Sequence, residues 1–475
     1  MNTPQIMNMR DGTVVSEKME PIVPPLVCRD VKATKRRFNP SNGSTFQNTG
    51  TEIRIPISGQ FILDNKNVNV NFNLNSNQVC NVDFSVAGLF SQIRVEAGTG
   101  SSIVLESIDD PGVWANFLYQ YTWTHEDMAR ENSKQRSSAN QPGPARAAQV
   151  AIVAQGVGTG ANGQTATTAQ TAQAAITARL AGVLDKVGDS FNGDIEVALD
   201  LSLFMGIFSA SAGLPLYDTA GVTIVLTLNN PTNSIYSATA PVLILSKIYA
   251  TATCLEGGES YEKKLKELKS SGNKEISVMY NTCRRYIQSQ PQSAATTGTF
   301  LINERSKSCL GFVAIGRDVA TITKADSFSN SNSLFPVFTR FEYNIAGMSY
   351  PVAGINTISE ATDETYDVYS QLSRRHDSGG LISRTQATAV LAVDAATQTA
   401  AMDSQLGPSQ VLSINLSKCG PNEDYWGKGM NLSGSNLTNY LQVQYTPFNA
   451  QTINIYSIFQ MKLHIDALGN FSTEF

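Results

Sequence analysis

Residues 441–465 read LQVQYTPFNAQTINIYSIFQMKLHI. Leu441, Val443 and Tyr445 alternate with Gln442 and Gln444. Beyond Pro447 the alternation resumes, with Ile453, Ile455, Phe459, Met461, Leu463 and Ile465 on one parity and Asn454, Gln460, Lys462 and His464 on the other. Successive side chains of a strand leave on opposite faces, so a period of two over this length predicts two long, half-buried strands with the odd-numbered residues inward. The middle of the chain has the same layout. Val222, Ile224, Leu226 and Leu228 alternate, a polar loop spans 229–240, and a second strand is expected over 242–252. The repetition predicts an all-β chain built as two similar sandwiches in tandem.

Outward from these pairs, each half repeats one plan. Residues 1–50 hold Pro21, Pro24 and Pro25 and no periodicity, and read as an extended N-terminal arm. The first sandwich is expected over 51–252. Its early strands show as Ile53, Ile55 and Ile57, then Val68, Val70, Phe72 and Leu74 alternating with asparagines. A helix is expected from Pro111 with Asp110 as N-cap, and with Val113, Trp114, Phe117, Leu118 and Tyr121 at helical spacing. Trp123 belongs to the same aromatic group, which reads as core rather than as a stacking platform. Residues 134–187 are rich in Ala, Gly, Thr and Gln, too small and polar for a dense core, and read as a long loop. A helical connector over 253–275, centred on the charged run GESYEKKLKELKSSG (258–272), precedes the second sandwich, 276–475. There a second helix is expected from Ile358, Ala361, Thr365, Tyr369 and Leu372, followed by a small-residue loop over 376–407 and a strand over 411–416.

Composition narrows the function classes. Of 475 residues only 16% are charged, and the formal net charge is −5, so bulk charge does not make this a nucleic-acid-neutralising coat. Low surface charge suits a protein whose flanks are covered by neighbours. The six cysteines (Cys28, Cys80, Cys254, Cys283, Cys309 and Cys419) form no CxxC pair, which predicts neither a zinc framework nor a disulfide scaffold and fits a reducing compartment. MNTPQIMNMRDGTVV has no apolar run, and no stretch approaches the ~18 apolar residues of a membrane span, so neither a secretory signal nor a transmembrane segment is expected. The sequons at Asn42, Asn415, Asn431, Asn436 and Asn470 then read as unused.

Motifs of catalysis are weak. GTGANG (158–163) matches the GxGxxG string, but no βαβ alternation surrounds it, and it reads as a flexible loop. His125, His376 and His464 form no ligand pair, and Lys428 in GKG lacks the phosphate-loop spacing. Asp109/Asp110 and Asp363/Glu364 fall at expected helix starts, where capping explains them. No catalytic residue, metal ligand or cofactor is therefore expected. The run KATKRR (32–37) is the one basic cluster of the arm. Lys32, Lys35, Arg36 and Arg37 read either as a solvated charge group or as weak, salt-sensitive contacts to phosphates.

Four stretches carry a resemblance: FQNTGTEIRIP (46–56), SQIRVEAGTG (91–100), GLPLYDTAGVTIVLTL (213–228) and RSKSCLGFVAIGRD (305–318). With the layout over roughly 50–470, the chain resembles the double jelly-roll major capsid proteins of DNA viruses, the class of adenovirus hexon and of the polinton-type and large-DNA-virus capsid proteins. The resemblance implies two tandem jelly rolls and a homotrimer whose six rolls form a pseudo-hexagonal capsomer tiling an icosahedral shell. It implies as partners the chain itself, neighbouring capsomers and minor and vertex capsid proteins, with weak non-specific contact to packaged DNA. It places the chain in the virion, made in the host cytoplasm and not secreted, with no enzymatic activity. The arm, and with it Lys32, Lys35, Arg36 and Arg37, is then expected on the inner face of the shell or laced under a neighbouring capsomer. The competing reading from the residues is a tandem β-sandwich adhesin or lectin-like surface-binding protein.

Overall fold

The computed structural model describes residues 6–8, 14–16, 32–64, 68–82, 85–98, 103–122, 134, 191–210, 213–231, 235–237, 241–256, 275–290, 297–318, 338–356, 358–370, 411–418, 426–434, 438–445, 451–466 and 468–475. Strands β1 (Ile6–Asn8) and β2 (Val14–Ser16) pair with each other. The first sandwich contains β3 (Lys32–Phe38), β4 (Thr45–Phe46), β5 (Glu52–Ile57), β6 (Ile62–Leu63), β7 (Asn69–Val82), β8 (Phe90–Ala97) and β9 (Val104–Asp109). After helix α1 (Pro111–Thr122) come β10 (Phe191–Asp200), the short helix α2 (Gly206–Ser209), β11 (Leu214–Pro215), β12 (Val222–Leu228), β13 (Ile235–Ser237) and β14 (Leu243–Glu256). The second contains β15 (Glu275–Gln290), β16 (Thr297–Ile302), β17 (Cys309–Asp318), β18 (Phe338–Ile345) and β19 (Met348–Ile355). Helix α3 (Ile358–Ser370) then leads to β20 (Val411–Asn415), β21 (Asn439–Tyr445), β22 (Gln451–Asp466) and β23 (Phe471–Glu474).

The two sandwiches are wound identically. In the first, β3-β14-β7-β10 face β5-β12-β8-β9. In the second, β15-β22-β17-β20 face β16-β21-β18-β19. All of these pairings are antiparallel. The long strands alternate because each sheet buries one face. Val70, Phe72 and Leu74 are buried while Asn69, Asn71, Asn73 and Asn75 between them stay half-exposed. Both helices occupy the same place, between the strands at the end of one sheet and the start of the other.

One expectation about the arm is corrected here. Residues 1–50 are not free of strands, because Lys32–Phe38 is β3, paired with the end of β14, and Phe46 on β4 is buried in the first core. Strand β14 also continues past 252 to Glu256. The segment 258–272 and the loop 376–407 lie outside the described residues, as do 135–187 of the first loop, with GTGANG, and His125 and His376.

The final strands bury Phe459, Met461, Leu463 and Ile465, but these four join the cluster shared with the first sandwich, while Ile453 and Ile455 of the same parity face the second sandwich's own core, the change falling where the register of β17 on β22 shifts. Each such side chain contributes roughly 1.5–3 kcal/mol. The opposite parity is not solvated, however. Asn454, Tyr456 and Ile458 are buried too, because that face of β15-β22-β17-β20 is covered by the first sandwich, and Gln460 is buried within the second sandwich, where it accepts from the Ser308 hydroxyl and the Gly427 N–H. Ile453, Ile455, Phe312, Leu412, Phe341 and Leu441 make the second sandwich's own core. Tyr456, Ile458, Leu310, Val313, Ile315 and Val411 instead join one continuous cluster with Trp114 and the first sandwich's interior.

The helices seal this junction. In α1, Val113, Trp114 and Leu118 are buried, and the Trp114 ring lies 5.0 Å from that of Tyr456. The Phe117 and Tyr121 side chains, and Trp123, lie outside the described residues. Helix α3 buries Ala361, Thr365 and Val368 at helical spacing. Gly311 of β17 is required beneath it, since a Cβ there would meet the Ile414 carbonyl oxygen at 2.5 Å and Val368 at 3.1 Å.

Candidate functional site

Two places hold the chain's distinctive polar chemistry: the seam between the sandwiches, and the basic strand β3. At the seam the edge strand β9 lies against β15 and β23. Tyr280 on β15 donates its hydroxyl to the Leu105 carbonyl at 2.6 Å. Thr282, two residues on, donates to the Glu106 carboxylate at 2.5 Å. That carboxylate also accepts the backbone N–H of Gly206 and of Ile207, both at 2.8 Å, at the start of α2. Full burial pushes Glu106 up to about 7, outweighing the three donors that favour the charged form. Burial likewise raises the neighbouring Tyr280 and Cys283, and Glu106 adds to both shifts.

Arg285 completes the seam. It pairs with Asp110 at 3.0 Å, and its guanidinium donates to the Asn454 side-chain oxygen at 2.9 and 2.6 Å. Asp110, expected only as a helix cap, thus bridges the two sandwiches from a residue with φ of 52°. Asp363 and Glu364 are not at a helix start, because α3 begins at Ile358, and Glu364 accepts the Asn415 N–H of β20 at 2.8 Å. Backbone contact is equally close. A Cβ on Gly206 would lie 1.9 Å from the Asn281 carbonyl oxygen, and one on Gly469 1.9 Å from that of Asp218. These hydrogen bonds and the ion pair hold the sandwiches in one orientation, although the buried side-chain nitrogen of Asn454 has no partner among the described residues.

Strand β3 gathers the four predicted basic residues, yet it divides them. Arg36 pairs with Glu256 and lies 5.0 Å over the Phe61 ring, and the pairing lowers the Glu256 carboxyl. Arg37 lies 3.7 Å over the Tyr249 ring and donates to Asn39 at 3.1 Å. Lys32 and Lys35 are exposed. The arginines therefore serve the sheet, and the lysines present charge to water. Among the described residues no group of three or more His, Cys, Asp or Glu converges to hold a metal, and no helix is long and apolar enough to cross a membrane.

Apart from Asp110 and Trp114, the residues of the seam carry no motif in the sequence. Glu106 leaves one trace there: in VLESID it stands at an inward parity of a strand, where an acid needs a buried partner.

No family model matches the chain, and no curated protein matches it in sequence. Solved structures do match it over nearly its whole length. Against PBCV-1 VP54, as fitted into a reconstruction of the virophage Sputnik, the TM-score is 0.60 at 10% identity, covering 94% of this chain and 97% of that one. The fold is a double jelly roll. Its eight main strands per roll, counted in chain order, run 1-8-3-6 in one sheet and 2-7-4-5 in the other. The Sputnik virophage structure gives 0.54 at 11%, covering 93% and 88%. The Faustovirus major capsid protein gives 0.50 at 8%, covering 91% and 90%. The double jelly roll is thus shared where sequence identity is nearly lost.

Proposed function

We propose that this chain is the major capsid protein of an icosahedral DNA virus, assembling as trimeric pseudo-hexagonal capsomers that tile the shell around the genome. The observation that carries the reading is a duplicated roll that matches solved capsid structures over nearly its whole length, with the buried polar groups of the seam fixing roll against roll. A capsomer needs that fixed angle, since three chains must present six equivalent flanks. The same reading assigns the chain to the virion and gives it no catalytic role. Residues 1–31 form the arm, 32–256 the first roll, 257–274 the connector and 275–475 the second roll. Lys32 and Lys35, at the root of the arm, face the shell interior and touch packaged DNA weakly, without sequence preference.

Light scattering on the purified chain tests this. A mass of three times 51.2 kDa, with hexagonal outlines in negative stain, is the expected result. A stable monomer at all concentrations overturns it.

A further inference from the structure

His464 belongs to no motif of the sequence, but the second roll gives it partners on both neighbouring strands. On β22 it stands directly opposite Ser277 of β15. On its other side β23 places Ser472 opposite it and Glu474 two residues on, opposite Lys462. Direct and diagonal neighbours on one sheet face are both within reach of an imidazole. The Ser277 hydroxyl lies 3.2 Å from Nδ1, and Nε2 lies 3.4 Å from one Glu474 carboxylate oxygen. The other Glu474 oxygen accepts from the Lys307 ammonium at 2.8 Å. The ring is held between its neighbours, while Ser277 beside it is open to solvent.

Charge fixes which way these protons point. The hydrogen bond from Lys307, with that from His464 and the charges of Lys307 and Lys462, holds the Glu474 carboxyl below its ordinary value. An ionised carboxylate only accepts, so Nε2 carries the proton of the neutral ring. Nδ1 is then a lone pair, and the Ser277 hydroxyl donates to it. A hydroxyl that donates to an imidazole, itself oriented by a third group, is the arrangement that activates a serine. It is recognised by geometry and role, not by chain order. Here Nδ1 rather than Nε2 meets the hydroxyl, and either imidazole nitrogen accepts a proton when the other already holds one.

We infer that Ser277 is a covalent acceptor for acyl groups, with His464 as its base, Glu474 as the residue that orients the ring, and esters or thioesters as the donors. The Ser277 oxygen attacks the acyl carbon while its proton passes to Nδ1. The bond from that carbon to the leaving oxygen or sulfur breaks, and the leaving group takes the proton from Nδ1. The products are the serine ester and an alcohol or thiol, with no change of oxidation state. The result is one acyl group per chain, a mark that a building block carries without being an enzyme. This reactivity is independent of the capsid reading.

The test treats the full chain with p-nitrophenyl acetate, maps the acetyl groups by mass spectrometry and follows folding by thermal unfolding. Ser277 is expected to be acetylated well ahead of Ser472, which is exposed on β23 beside it, and the label is expected to vanish from Ser277→Ala. A positioned base supplies at least about 100-fold, so His464→Gln should slow the labelling by about that factor. The charged and polar groups around the ring are Ser277 from β15, Glu474 from β23, Lys462 on its own strand and Lys307 ahead of β17. The wild-type rate should climb with pH as an imidazole gives up its proton. Glu474→Gln removes the charge that steadies the imidazolium and should move that climb to lower pH, which a merely structural Glu474 would not do. Ser277 labelled no faster than Ser472, or at an unchanged rate in folded His464→Gln, overturns the inference. Should His464→Gln fail to fold, Glu474→Gln decides, and an unmoved pH profile overturns it.

Discussion

Glu106 is the residue on which the seam turns. Its folded carboxyl is raised from 4.5 to about 7 by burial. Between those values the folded chain holds a proton that the unfolded chain has released. The contribution of this group to stability is therefore full below pH 4.5 and is lost as pH rises through about 7. The groups facing it are Thr282, Tyr280 and Cys283 on β15, the amides of α2, and Asp109 on its own strand. Tyr280 and Cys283 are themselves raised by burial, so neither takes on charge across that window. We expect the melting temperature to fall from pH 5 to pH 8, and the fall to shrink in Glu106→Gln. An identical pH slope in the variant would remove Glu106 from this role. The residue escaped sequence reading because its partners arrive from two separate elements, β15 and α2, and no spacing within the chain brings them together.

At the scale of elements, alternation was legible wherever one face met water and the other met core. That holds for β5 and β7, whereas both parities of β12 are buried. It failed where the physics departs from that premise. Strand β3 reads KATKRRF, and its only large apolar residue, Phe38, is half-buried; Arg36 stays exposed while it pairs with Glu256 and stacks on Phe61. An edge strand anchored through arginines leaves no apolar period to find. The even positions of β22 read as solvent-facing because Asn454 and Gln460 are polar, yet both are buried, Asn454 accepting from Arg285 at the seam and Gln460 accepting from Ser308 within the second roll. The strand assignment of β3 makes a prediction about truncation. Removing residues 1–31 should leave soluble trimers and impair shell closure. Removing 1–45 also deletes β3, leaving one edge of β14 unpaired over Ala250–Glu256, and should lower the melting temperature markedly. Equal melting temperatures for the two truncations, measured by calorimetry, would contradict the structural role of β3.

Across the whole molecule, the rolls share one buried cluster through Trp114, Tyr456 and Ile458, and the second roll's inner core adjoins it across a single sheet. Neither roll can open that face without exposing the other's side chains. We therefore expect one cooperative thermal transition for the monomer rather than two, with the calorimetric enthalpy equal to the van't Hoff value. Two resolved transitions would show that the seam is weaker than its packing implies.

In β3 and β14, Lys32 stands opposite Glu256; in β15 and β22, Glu275 stands opposite Asp466. Each roll thus begins and ends side by side, at one corner of one sheet. A gene segment encoding such a unit can be copied end to end, and the second copy folds without threading through the first. Doubling such a unit needs no new topology, only one surface turned greasy and the other kept wet, a matter of point substitutions along a few strands.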